Sequence, residues 1–266
     1  KTKDISDVIF TVGDPGRVHR VSSLFDSIDF EMNKREFITH TGTIDGKKIT
    51  VMSTGMGSSN IEILMTELDL LANFDFKKYK FKSKKKRLKI IRLGTSGSIQ
   101  SGLPVGSLLL SEMAIGLDNM MDFYPLKEDK EEFEISSSFS RDLSLKSNAY
   151  CKKADAELVA RFKGEPLING LTLTCPGFYA PQGRFFKINP VDPKYLDKLT
   201  YYNSGKNWIT NIEMETSSYY AFGALLGHQT LSLNAILANR ISGRFSKNPN
   251  RIVDRMIKLA LERMLS

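Results

Sequence analysis

A short apolar run at residues 8–12 passes directly into Gly13-Asp14-Pro15-Gly16-Arg17 and then into a helical pattern reaching about Phe25. A buried strand that turns on glycine straight into a helix is a building unit of α/β folds, and it constrains this chain more than any other feature. The unit recurs. Residues 37–43 and 48–53 read as a strand pair around the Asp45-Gly46 turn. Thr54-Gly55-Met56-Gly57-Ser58-Ser59 then opens a helix carrying Ile61, Leu64, Met65, Leu68 and Leu71 on one face. Residues 88–93, 108–115, 171–175 and 231–238 read as buried strands, and 251–265 as a closing amphipathic helix. Residues 215–226 read as a helix that Gly227 ends. Strands alternating with helices give an α/β class with a mostly buried sheet. With no internal repeat and no linker, the 266 residues are expected to form a single domain, 1–266.

Several functional classes drop out. Residues 216–239 contain no Asp, Glu, Lys or Arg, but they hold Ser217, Ser218, His228, Gln229, Thr230, Ser232 and Asn234, and Gly227 interrupts them. A buried helix followed by a buried strand fits better than a membrane span. No segment reads as a signal peptide, and two lone cysteines, Cys151 and Cys175, make no disulfide framework, so the expected location is cytoplasmic. His19, His40 and His228 are scattered and no metal-ligand spacing is present, so no metal is expected. The net charge of +8 is local: nine Lys/Arg and no acid lie between Lys77 and Lys89, and the remainder of the chain carries −1. That run reads first as a solvated loop between a helix and a strand, with an electrostatic patch for RNA or acidic partners as the lesser reading.

Two glycine turns suit a small oxyanion. Gly13-Asp14-Pro15-Gly16 offers backbone N–H groups at a helix start, and Arg17 can reach back to the anion. Arg92, read at a strand end, is followed by Gly94-Thr95-Ser96-Gly97, which adds a guanidinium, a hydroxyl and free amides. Neither turn is a P-loop or a dinucleotide fingerprint. A nucleophile elbow is also excluded, because Ser98 stands where G-x-S-x-G requires glycine. Glu213 and Glu215 flank Met214 at a helix start, and i, i+2 carboxylates do not share a helix face, so at most one is expected at a ligand. A carboxylate accepts well from ribose hydroxyls, and methionine offers soft contact to the ring. Gln182 and Arg184 match the edge of uracil, with Phe178 placed to stack.

These segments, with Arg35-Glu36-Phe37, Asn211-Ile212-Glu213-Met214-Glu215-Thr216 and Asn239-Arg240, resemble the nucleoside phosphorylase-I family in its uridine phosphorylase branch. The likeness spans residues 12–240. It implies a three-layer α/β/α fold with a central mixed, partly barrel-like sheet, and phosphorolysis of a pyrimidine nucleoside with inorganic phosphate as co-substrate and no cofactor. It implies phosphate held by Gly13, Arg17, Arg92, Thr95 and a neighbour's Arg35. Ribose would meet Thr95, Met214 and Glu215, and base would meet Phe178, Gln182, Arg184 and Arg240. The catalytic group would be Arg92, Glu215, Gln182 and Arg184. The implied assembly is a homodimer, which the family often builds into hexamers. The alternatives to a pyrimidine phosphorylase are a purine nucleoside phosphorylase and a non-catalytic nucleoside- or RNA-binding protein. Purine-cleaving relatives carry Ser-Asp where this chain has Asn239-Arg240, and an arginine cannot donate the proton that purine N7 takes at neutral pH. Asn60 replaces a hydroxyl of the family's interface cation site, so no potassium is expected.

Overall fold

The computed structural model describes residues 2–189, 191–205 and 207–266. In chain order the elements are β1 (Val8–Val12), α1 (Gly16–Ser22), β2 (Ser27–Lys34), β3 (Phe37–Ile44), β4 (Lys47–Ser53), α2 (Ser58–Asn73), β5 (Phe74–Asp75), β6 (Lys80–Phe81) and β7 (Lys89–Ser98). There follow β8 (Leu108–Gly116), α3 (Lys130–Asp142), β9 (Tyr150–Lys153), α4 (Ala156–Phe162), β10 (Leu167–Thr174), α5 (Tyr195–Tyr201), β11 (Asn203–Ser204) and β12 (Asn207–Glu213). The chain closes with α6 (Thr216–Leu226), β13 (Gln229–Asn239), β14 (Arg244–Phe245) and α7 (Pro249–Leu265).

The main sheet runs β11-β12-β10-β8-β13-β7-β1-β4-β3-β2. Parallel pairs such as β1 with β4 and β7 sit beside antiparallel ones such as β3 with β4, so the sheet is mixed. β12 also pairs antiparallel with β7, through Asn211 opposite Ser98 and Ile212 opposite Gly97. The pairings β7-β13-β8-β10-β12 therefore return to β7, while β2 and β11 remain edges: an α/β sheet that is barrel-like in part. Its helices bury apolar faces against it, as Val18 and Val21 of α1, Ile61, Met65 and Leu68 of α2 and Met256, Ile257 and Ala260 of α7 do. Among the described residues, no helix is long and apolar enough to cross a membrane; residues 216–239 form a buried helix and strand, as their composition indicates.

Three expectations need correcting. The first helix stops at Ser22: Ser23 caps it by donating to the His19 carbonyl, and Leu24 and Phe25 bond back only three residues, as turns. β2 escaped the sequence reading although Ile28, Phe30 and Met32 alternate with polar residues; most of the strand is exposed, and no buried apolar run marks it. The third concerns residues 94–98, expected as a turn with free amides. They continue β7, pairing with β13 from Gly94 opposite Asn234 to Ser98 opposite Asn239.

One glycine here is a space requirement. A Cβ on Gly42 would lie 1.9 Å from the Ser27 carbonyl oxygen, beside the register shift between Ile28 and Phe30 where β2 crosses β3. Gly42→Ala is expected to push β2 away and destabilise by about 1–3 kcal/mol. A urea melt checks it, and an unchanged midpoint would refute it.

Candidate active site

β1 and β4 end side by side, so the two glycine turns that follow them meet. Thr54 N–H donates to the Val12 carbonyl at 2.9 Å, and Gly13 approaches Gly55 so closely that a Cβ would stand 3.3 Å from its oxygen. Arg17, from the first turn of α1, crosses to the neighbouring strand and donates through Nη1 to the Leu93 carbonyl at 2.9 Å, leaving its buried Nε without a partner. Burial holds the Arg17 pKa below its usual value, with the Arg92 charge acting in the same sense and Asp14 opposing both.

Arg92 is 5% exposed and held on four sides. Its Nη2 lies 2.5 Å from Glu215 Oε2 and 2.9 Å from Glu213 Oε2, and its Nη1 donates to Ser232 Oγ at 3.3 Å and Asn234 Oδ1 at 3.2 Å. Burial alone would lower its pKa, but the Glu213 and Glu215 charges outweigh burial and raise it. The guanidinium folds back over Gly94, whose missing side chain makes the room: a Cβ there would be 1.8 Å from Nη1.

The helix-face premise applied to Glu213 and Glu215 does not hold, for a geometric reason. Glu213 ends β12 and Glu215 precedes the first turn of α6, so neither is yet helical and both carboxylates reach one guanidinium. Glu213 also accepts from the N–H groups of Glu215 and Thr216 and from Thr174 Oγ1, which satisfies the start of α6. Glu215 Oε1 accepts from Gly57 N–H at 2.7 Å, tying the second glycine turn to the carboxylate. Burial raises the Glu215 pKa, Arg92 opposes this, and the Glu213 charge adds to it. Met214 is half-buried between the two acids, and Thr95 is half-buried in β7 opposite Ala235.

The residues expected to read the base lie in the loop after β10 and just past the end of β13. Gln182 closes a short 3-10 turn, Ala180–Gln182, and is 2% exposed. Arg184 Nη1 donates to Gln182 Oε1 and to the Phe178 carbonyl at 2.7 Å. Its guanidinium lies 4.0 Å over the Phe178 ring, so one ring face is already covered. Arg240 N–H bonds the Ser98 carbonyl, and its side chain passes over Gly97, where a Cβ would be 3.5 Å from Arg240 Cδ. Its buried Nη1 has no partner. Burial, and next the Arg184 charge, lower the Arg240 pKa to about 10. Gly94, under Arg92, and Gly97, under Arg240, are three residues apart, about 10 Å along a strand. Arg35 stands apart from both, exposed at the β2–β3 hairpin tip with φ +56°, beside a groove lined by Phe30, Met32, Phe37, Ile63 and Leu71.

The profile of the phosphorylase superfamily matches residues 7–265. The chain belongs to the phosphorylase superfamily. A uridine phosphorylase of Thermococcus kodakarensis is 28% identical over 247 residues, covering 93% of this chain and 78% of its own length. A DeoD-type purine nucleoside phosphorylase of Aliivibrio fischeri is 26% identical over 265 residues, covering 98% and 94%. Among solved structures, a Trypanosoma brucei nucleoside phosphorylase described as showing uridine phosphorylase activity superposes with a TM-score of 0.90 at 29% identity, covering 100% of this chain and 95% of its own.

Sequence reading of this phosphorylase missed the residues that hold Arg92. Ser232 and Asn234 alternate along β13, and Asn234 Nδ2 donates onward to Ser111 Oγ, which bonds Thr172 Oγ1 at 2.6 Å. Thr172 in turn donates to Asn211 Oδ1, and Asn211 Nδ2 donates to Ser96 Oγ. Small polar residues at alternate positions of otherwise apolar strands were the available signal, since buried hydroxyls and amides need partners.

Proposed function

We propose that this phosphorylase cleaves uridine with inorganic phosphate, giving uracil and ribose 1-phosphate. The observation that carries the reading is the convergence of Arg17 and Arg92 on the Leu93–Gly94 backbone beside Glu215, with Arg240 over Gly97 three residues further along β7 and the charge of Arg184, bonded to Gln182, acting on it. In this reading Gly13, Arg17, Arg92 and Thr95 hold phosphate. Glu215 accepts from the ribose hydroxyls while Met214 and Thr95 line the sugar, and phosphate attacks the anomeric carbon as the bond to the base breaks. Gln182 and Arg184, with the unpartnered Nη1 of Arg240, stabilise the charge developing on the uracil oxygens. Positioning and electrostatics supply the acceleration, with no covalent enzyme intermediate and no cofactor.

The uridine phosphorylases among the relatives support the pyrimidine reading, and so does a cation, Arg240, where a purine leaving group would need a proton donor. The apolar groove beside Arg35 supports a homodimer in which each subunit lends Arg35 to its neighbour's phosphate, with hexamers as the larger assembly. The reaction would serve cytoplasmic pyrimidine salvage. Assaying uridine with and without phosphate tests the proposal. Cleavage is expected only with phosphate present. Equal cleavage in its absence would make the enzyme a hydrolase, and turnover of inosine with none of uridine would assign it to purines.

A further inference from the structure

The basic run set aside as a solvated loop folds into something more particular. β5 and β6 pair antiparallel, Phe74 with Phe81 and Asp75 with Lys80. Asp75 Oδ1 accepts from the N–H groups of Lys77 and Lys78, and Tyr79 takes a left-handed φ of +52° to complete the turn. Phe76, Tyr79 and Phe81 each meet the half-buried Phe74 ring edge-on, with centroids 5.2, 5.7 and 5.2 Å away. They are 58%, 85% and 53% exposed. The hairpin is anchored at its base, where Lys82 Nζ donates to the Ala72 carbonyl and Lys86 pairs with Asp7. Lys77, Lys78, Lys80, Lys84 and Lys85 stay exposed around the rings.

We infer that this hairpin is a second binding surface, for single-stranded RNA, separate from the nucleoside site. Exposed aromatic faces flanked by lysines are what a flexible polyanion with planar bases requires: rings to stack on and charges to follow the phosphates. The segment from Phe74 to Arg87 contains no Leu, Ile, Val or Met, so its apolar surface consists of planar rings on which bases can stack. Placement also separates it from catalysis. The N-terminus of α2 adjoins Gly57, which bonds Glu215, whereas the hairpin leaves the C-terminus of that 16-residue helix, about 24 Å away.

Fluorescence anisotropy with an oligouridylate of about 12 nucleotides, read across a salt series, tests this. Phe76→Ser with Tyr79→Ser should weaken binding about tenfold or more. Lys78→Gln, Lys80→Gln and Lys84→Gln together should flatten the logarithmic salt slope by about 2. Both variants should retain parental phosphorolysis, showing an intact fold whatever the true nucleoside. The inference is overturned if the serine variant binds RNA as tightly as the parent, since charge alone would then account for binding. It is equally overturned if the parent ignores RNA but sediments with phosphatidylserine vesicles, or if the hairpin only joins two copies of the chain.

Discussion

Replacing Arg92 with leucine is expected to lower uridine phosphorolysis by about 10³-fold and to destabilise the fold by about 3–5 kcal/mol. The catalytic loss follows, in the proposed reading, from removing a charge that holds phosphate. The structural loss follows from what stays behind: Glu213 and Glu215, 4% and 6% exposed, would be left as two uncompensated carboxylates. The deficit should depend on pH. Burial already raises the Glu215 pKa, and Arg92 is the influence that opposes it. Without the guanidinium the folded-state pKa climbs further above its unfolded value. Stability from such a group is present below the unfolded pKa and lost as pH rises through the folded one. The variant should therefore lie closest to the parent in acid and fall furthest behind at neutral pH. Urea melts across that range, with kcat/KM in parallel, measure both effects. A deficit that does not change with pH would show that the two acids are not what the arginine compensates. Arg92→Lys should recover part of the stability, but one ammonium cannot reproduce a planar fork that reaches Glu213, Glu215, Ser232 and Asn234 together.

The second large effect is expected from a single methyl group. Gly94→Ala would set a Cβ 1.8 Å from Arg92 Nη1, and the guanidinium must move although four groups hold it. Displacing it by about 1 Å should cost about 10²-fold in kcat/KM for phosphate. The stability loss should be smaller, about 1–3 kcal/mol, because a side-chain end can shift where backbone cannot. Gly97→Ala is the matched comparison: its Cβ would meet Arg240 Cδ at 3.5 Å, an ordinary contact, so activity should stay close to the parent's. Equal losses at both positions would mean that strand flexibility, not room for Arg92, explains the glycines.

Those two glycines also show where sequence reading succeeds and where it stops. Strand-turn-helix order gave the fold class because apolar runs bounded by glycine are local signals. Arg17, Arg92, Glu215, Gln182 and Arg184 could be put forward as site residues because their chemistry is unusual in such settings. The strand character of residues 94–98 was hidden, since glycine, threonine and serine usually mark a turn, and only pairing with β13 and β12 overrides that preference. The role of Glu213 was hidden for a related reason: whether it belongs to the end of a strand or the start of a helix decides where its carboxylate points. Ser232, Asn234 and Ser111 gave no motif at all, because their meaning lies in contacts across strands distant in sequence.

In the proposed reading the distance from the anion end to Arg240 is set by one strand, β7, on which Gly94 and Gly97 lie, while Gln182 and Arg184 approach from the turn after β10. Lengthening the link between sugar and base by even one atom should weaken recognition sharply, whereas bulk on the outer edge of the base should be tolerated, because Phe178, Tyr179 and Phe186 in that loop are exposed. Substrate range in this enzyme should thus be strict along the strand and permissive across it.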